Sequence, residues 1–312
     1  RLGFGELGAG KMMGLSAYGG YSERIHLALE CRSYQSVLEC KPSSLAATLQ
    51  RHTIETIRNI VFPLKTCDNI CIAGGVGYNG YMNEEFTKHY TKVHVPPAVG
   101  DEGQALGTYM HADYTLNNSI HVPDTYAGKE YEFDGGKPIN PRQVGEMIAA
   151  GKIVGWFNGK SESGNRALGN RSILADPRNP NIKDIINSTI KKREDYRPYA
   201  PAVMEAHYPY YFYTNQPSPY MSRIVPVKPH LYDVIPGVTH IDGTARIQTV
   251  NPKQNPDFYD VIAGFYQMAG IPMVLNTSFN CQEPIVETPE QAINTFNNTA
   301  LDAVVINGRL VK

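Results

Sequence analysis

Only five cysteines occur in 312 residues (Cys31, Cys40, Cys67, Cys71 and Cys281), and none of them forms a CxxC pair. That scarcity argues against a disulfide framework and a zinc ribbon, and it suits a reducing cytoplasm. No uncharged apolar run reaches the roughly 18 residues a membrane helix needs, so a membrane protein is not expected. Excess charge is lacking too: 29 Lys and Arg against 30 Asp and Glu leave a net charge of -1. Without a global field to draw the chain onto nucleic acid or acidic lipid, any anion binding must be local. No two of the nine histidines stand four apart on a helix face, so no complete metal motif is visible. Repeats and low-complexity tracts are also absent. Four glycosylation sequons, at Asn117, Asn187, Asn276 and Asn297, have no secretion signal before them and read as chance matches.

What is present, 42% hydrophobic and 19% charged residues, is the composition of a soluble globular protein, and the length favours two domains. Leu45, Leu49, Ile54, Ile57 and Val61 recur with helical spacing between Ser43 and Phe62. A short strand, Ile70 to Ala73, breaks at Gly74-Gly75 and leads into another helix. Asp101, between Gly100 and Gly103, precedes a helix of small residues, Ala105 to Ala112. The polar run from Tyr114 to Pro138 interrupts the hydrophobic pattern and sets a domain boundary near residue 115. Beyond it come helices over Pro141–Ala150, Ile182–Lys192, Phe258–Ala269 and Pro289–Thr295. Strands are expected over Ile153–Phe157, Ile224–Val227 and Ala245–Val250, up to Asn276, and over Ala303–Ile306. The order is mixed α/β.

Gly5-x4-Gly10-Lys11 imitates a P-loop, but Met12 stands where a magnesium-holding hydroxyl belongs, and a glycine-rich loop before a core helix is the better reading. Gly74, Gly75 and Asn79 could let a nucleotide approach bare backbone or could simply make a tight turn. Asp101 reads either as a metal-ligating carboxylate or as a helix N-cap. The strongest signal is cationic: Arg166, Arg171, Lys191, Lys192, Arg193 and Arg197 fall within 32 positions. The first two are placed in a Gly/Asn/Ser loop, with Asn170, behind a buried strand, where open α/β folds put ligands. Arginine forks match phosphate oxygens, and Lys191 can act as a point charge; Lys192 reads as solvated. Thr277, Ser278 and Asn280 in LNTSFN, and Arg246 in HIDGTARIQTV, could complete such a pocket or be structural.

Seven ordered segments, GKMMGLSAYG, AGGVGYN, VPPAVGDEGQALG, GNRALGNRSILADPR, IKKREDYRPYAPAV, HIDGTARIQTV and LNTSFNCQEPIV, resemble the NodU/CmcH-type O-carbamoyltransferases. The resemblance implies that residues 1–115 are the C-terminal part of an actin-like ATPase-fold (ASKHA) domain and residues 116–312 a YrdC-like α/β domain. It implies carbamoyl-adenylate formation from carbamoyl phosphate and ATP with Mg2+, then transfer to a hydroxyl of a natural product, sugar or hydroxymethylated pyrimidine. A homodimer and a nucleic-acid acceptor are within its scope. By matching motif, Lys191, Arg193, Arg166, Arg171 and Arg197 would hold phosphates, with Asn170, Arg246, Thr277, Ser278 and Asn280 shaping the pocket. Gly74, Gly75 and Asn79 would contact nucleotide, and Asp101 would ligate Fe2+ or Zn2+ with two histidines of an HxxxH segment that these residues lack. Half of the actin-like domain is therefore expected before Arg1. Asn165 replaces the usual proline, and GVGYN the commoner GVALN. Two alternatives are a threonylcarbamoyl-adenylate or tRNA-modifying enzyme and a non-catalytic nucleotide-binding remnant.

Overall fold

A computed structural model describes residues 8–33 and 40–312. Gly5 of the P-loop-like segment lies outside them, while Gly10 and Lys11 fall in a helix, α1 (Ala9–Ser16). Helix α2 (Glu23–Glu30) and the 20-residue α3 (Pro42–Val61) follow, the latter opened by a proline in its first turn, where no amide hydrogen is missed. Strand β1 (Asn69–Cys71), helix α4 (Gly80–Phe86) and strand β2 (Lys92–His94) form a small unit in which the two strands pair in parallel. Met82, Phe86 and Tyr90 close its core against Ile54, Ile57 and Val61 of α3, the positions whose spacing announced the helix. Helix α5 (Gly103–Asn117) runs five residues past its expected end and stops at Asn118 in the left-handed conformation, so the boundary placed near 115 falls in its last turn.

The remainder is one large mixed sheet. In chain order come β3 (Lys137–Pro138), α6 (Pro141–Ala149), β4 (Val154–Phe157), β5 (Arg171–Ala175), α7 (Ile182–Ile185), β6 (Ala200–Met204), α8 (Tyr208–Tyr211) and β7 (Arg223–Pro226). They are followed by β8 (Thr244–Val250), α9 (Pro256–Ala269), β9 (Met273–Ser278), α10 (Pro289–Asn297), β10 (Ala303–Ile306) and β11 (Arg309–Val311). The nine strands lie in the order β3-β11-β10-β4-β5-β9-β6-β8-β7, with parallel and antiparallel neighbours. Helices α6 and α9 approach closely because Gly145 and Gly264 face each other's backbone; a Cβ on Gly264 would lie 2.2 Å from the Arg142 carbonyl oxygen. Trp156, Phe157, Phe258, Phe265 and Phe279 are buried in the core, each worth about 1.5–3 kcal/mol of apolar transfer.

Two expectations are corrected here. Arg171 is not in a loop: it opens β5, in register with Phe157. The helix expected to Lys192 is α-helical only to Ile185 and continues as a π-helical turn, Ile186–Lys191, before Lys192 reverses at φ 45°. The wider turn displaces Lys191 from the face that α-helical spacing would give it.

Candidate functional site

The segment between β4 and β5 is held from both sides. One carboxylate oxygen of Glu162 accepts the backbone amides of Leu168 (2.7 Å), Asn170 (2.7 Å) and Arg171 (3.1 Å). The carbonyls face other partners: Asn276 Nδ2 donates to Ala167, Gln248 Nε2 and Tyr126 Oη to Leu168, and Trp156 Nε1 to Gly169. Gly164 and Gly169 supply the left-handed turns, at φ 90° and 111°. Burial raises the Glu162 carboxyl above its ordinary range, and the three amides oppose that shift. A loop so anchored leaves Arg166 little freedom. Its guanidinium lies 5.6 Å from the Tyr78 ring centre, and its Nε is sealed from solvent without a hydrogen-bond partner.

The second cationic stretch is organised by Asn187, a buried residue of the π-helical turn. Its Oδ1 accepts from Arg193 Nε (2.8 Å) and from the Tyr199 hydroxyl (2.6 Å), while its Nδ2 donates to the Arg197 carbonyl (3.1 Å). The turn also directs Lys191 inward, where it is 2% exposed. Its Nζ faces the Ser278 carbonyl (2.5 Å), Ser278 Oγ (3.0 Å), the Asn280 carbonyl (2.9 Å) and Asn280 Oδ1 (2.7 Å). No carboxylate is among these partners. Burial, and then Arg193, push the Lys191 ammonium well below the usual lysine range.

These elements meet around a pocket of about 230 Å³ lined by Arg166, Arg193, Arg197 and Arg246, with Asn276, Thr277, Ser278 and the α1 residues Gly10, Met13 and Gly14. No Asp or Glu lines it among the described residues. Arg193, Arg197 and Ser278 continue into an adjoining open cleft that includes Lys191 and Asn280. Burial, followed by the neighbouring arginine, lowers Arg166 to about 10 and Arg246 well below its ordinary value. Guanidinium nevertheless holds its proton at any working pH. Arg197 lies 3.7 Å from Glu194, outside the lining, while Arg166, Arg193 and Arg246 have no carboxylate within ion-pair distance among the described residues, and an anion would relieve them. On its other side the pocket shares His240, Tyr199 and Arg246 with a second cavity of about 240 Å³ lined by Tyr18, Tyr81 and Tyr196. Burial lowers His240 to about 4, so its imidazole is neutral at physiological pH.

The family model described as Carbamoyltransferase C-terminus matches residues 145–312, over half of the chain, and Carbamoyltransferase N-terminus matches residues 21–110. The chain belongs to the carbamoyltransferase family. Nodulation protein NolNO of Sinorhizobium fredii is 34% identical over an alignment covering 100% of this chain and 54% of NolNO. NolO of Bradyrhizobium diazoefficiens is 36% identical over 86% of the chain and 54% of its own length. A 3'-hydroxymethylcephem-O-carbamoyltransferase of Streptomyces clavuligerus is 34% identical over 78% of the chain and 48% of its own length. The chain thus spans about half the length of these relatives.

Within this chain, not every residue singled out from the sequence reaches the pocket. Arg171 is fully buried beneath it: its guanidinium stacks 3.5 Å from the Phe157 ring centre and donates to the carbonyls of Asn158, Gly159 and Asn170. Asn170 is likewise engaged, donating to the Lys160 carbonyl and accepting from Asn255. Gly74 (φ 98°) and Gly75 form an exposed turn, and Asn79 caps α4 while exchanging amide hydrogen bonds with Gln50. None of the three lines the arginine pocket. Asp101 is exposed one residue before Glu102, which caps α5 without a side-chain hydrogen bond. Sequence reasoning missed Glu162, Asn187 and Tyr199 as organisers of the site. The signal for Glu162 was an acidic residue among five small or polar neighbours; nothing local marked Asn187.

Proposed function

We propose that this chain carries the activating site of an ATP-dependent O-carbamoyltransferase. In this reading residues 1–115 are the C-terminal part of an actin-like (ASKHA) transfer domain and residues 116–312 a YrdC-like domain. The observation that supports it above others is the convergence of Arg166, Arg193, Arg197 and Arg246 on one pocket free of carboxylates. ATP and carbamoyl phosphate are both anionic: water releases inorganic phosphate from carbamoyl phosphate, and an oxygen of the resulting carbamate attacks the α-phosphorus of ATP and expels pyrophosphate, on which further charge develops. Fixed guanidinium groups stabilise such charge without reorganising during the step. Arg166 and Arg246 would hold the α-phosphate region, Arg193 and Arg197 the leaving pyrophosphate, and Mg2+ would arrive with the nucleotide.

Lys191 has a different part in this reading. With four oxygen acceptors around an ammonium that has three hydrogens, it fixes the turn Ser278–Asn280 and presents Ser278 and Thr277 to the pocket. The carbamoyl-adenylate would then pass to a small-molecule hydroxyl, as the name of the cephem O-carbamoyltransferase suggests. Asp101 stands apart from any His/Cys/Asp/Glu group among the described residues, so it offers a single ligand to Fe2+ or Zn2+ and no step is assigned to it. The test is a single-turnover reaction of the full-length protein with ATP and carbamoyl phosphate, the acceptor withheld. Mass detection of carbamoyl-adenylate on the enzyme is expected; AMP-free, unmodified ATP in its place would refute the reading.

A further inference from the structure

Away from the arginine pocket, α2 and α3 meet at a group of side chains that the carbamoyl chemistry does not use. His26 and Glu30 stand one turn apart on α2, and His52 faces them from α3, the two imidazole rings edge to face with centres 5.1 Å apart. One donor atom from each residue lies within 4.8 Å of the other two. His26 Nε2 is 3.1 Å from Glu30 Oε1, while its Nδ1 is sealed from solvent and has no hydrogen-bond partner. An ordinary ion pair one turn apart accounts for His26 and Glu30. It does not account for a second imidazole at the same point.

We propose that His26, Glu30 and His52 bind a divalent transition-metal ion of the Zn2+ or Co2+ class that fastens α2 to α3. Two imidazoles and one carboxylate are the donor set such borderline cations favour over Mg2+ or Ca2+. Bonds of about 2.1 Å in a tetrahedral site set donors about 3.4 Å apart, within reach of modest side-chain rotation from the observed spacing. Glu30 has the freedom to make that movement, its side chain being 53% exposed. The helix needs a fastening: α2 has eight residues and buries only Ile25 and Ala28, against Leu29, Cys40 and Leu45. So short a helix is marginal without tertiary support. Asp101 is not part of this group, which makes the site separable from any ion held there.

Calorimetric titration of the chain with Zn2+, together with Co2+ absorption spectroscopy, tests the proposal. A single equivalent with micromolar affinity is expected, along with a rise in melting temperature of about 4 °C at saturating Zn2+. His52→Ala and, separately, the milder Glu30→Gln should each weaken binding by about tenfold or more and remove the thermal shift. Circular dichroism should be unchanged. No saturable binding up to millimolar Zn2+ would overturn the proposal. So would binding that survives both substitutions.

Discussion

Arg166 and Arg171 are five residues apart and carry the same charge, yet their surroundings give them different work. Both have an Nε sealed without a partner, but Arg166 lines the pocket, whereas the terminal nitrogens of Arg171 donate to three carbonyls and its guanidinium stacks on an aromatic face. Arg166→Ala should therefore reduce carbamoyl-adenylate formation by about 100-fold or more while leaving the melting temperature nearly unchanged. Arg171→Lys should instead lower stability by about 2–4 kcal/mol in urea unfolding, because three buried carbonyls lose their donors. The density of basic residues was legible in the sequence. The fate of each was not, because it depends on carbonyls brought from Asn158 and Gly159 across a strand pair. His240 supports a pH prediction. Burial lowers it from 6.5 to about 4, so between these values the unfolded chain binds a proton that the folded chain refuses. Its contribution is complete above 6.5 and is lost as pH falls toward 4, on the order of 3 kcal/mol in all. Comparing urea midpoints at pH 7 and pH 4.5 should show a flatter dependence in His240→Gln than in the parent.

Among the elements, those with strong apolar periodicity were read correctly: α3, α6, α9 and the strands β4, β8 and β10 lie where the pattern put them. Strand β5 was missed because it issues from the polar run GNRS and its first residue is a buried arginine, against the usual rule for strand interiors. The π-helical turn was missed for another reason: hydrophobic spacing does not distinguish it from an α-helix over six residues. That turn gives Asn187 and Lys191 their inward positions, so the site rests on an element the sequence did not reveal. The loop before β5 offers the sharpest test at this scale. Gly169 has φ 111°, and a Cβ there would fall 2.1 Å from a ring carbon of Phe258. Gly169→Ala should destabilise the protein by about 2 kcal/mol or more and lower catalysis with it, since Arg166 is carried on the same loop. A melting curve together with activity measured well below the transition checks both effects.

At the scale of the whole molecule, the small parallel unit and the large sheet are joined through α4 and β7. Asn83 donates to the Ser222 carbonyl (2.7 Å), Gly80 abuts Ile224, and Glu84 lies 3.5 Å from Arg223, which is 2% exposed. Glu84→Gln would leave the Arg223 charge buried beside neutral groups only, and a loss of about 3 kcal/mol is expected by chemical unfolding. Seven ordered motifs made the family legible at this scale, and the family models agree with it. Where the motif residues would stand relative to one another was not legible: Gly74, Gly75 and Asn79 lie outside the pocket that Arg166, Arg193, Arg197 and Arg246 share. Pyrophosphate release by the full-length protein, measured with ATP and carbamoyl phosphate, tests the central claim most directly. The account predicts release that requires both substrates and falls by about 100-fold in Arg166→Ala; no release, or release unchanged by that substitution, would contradict it.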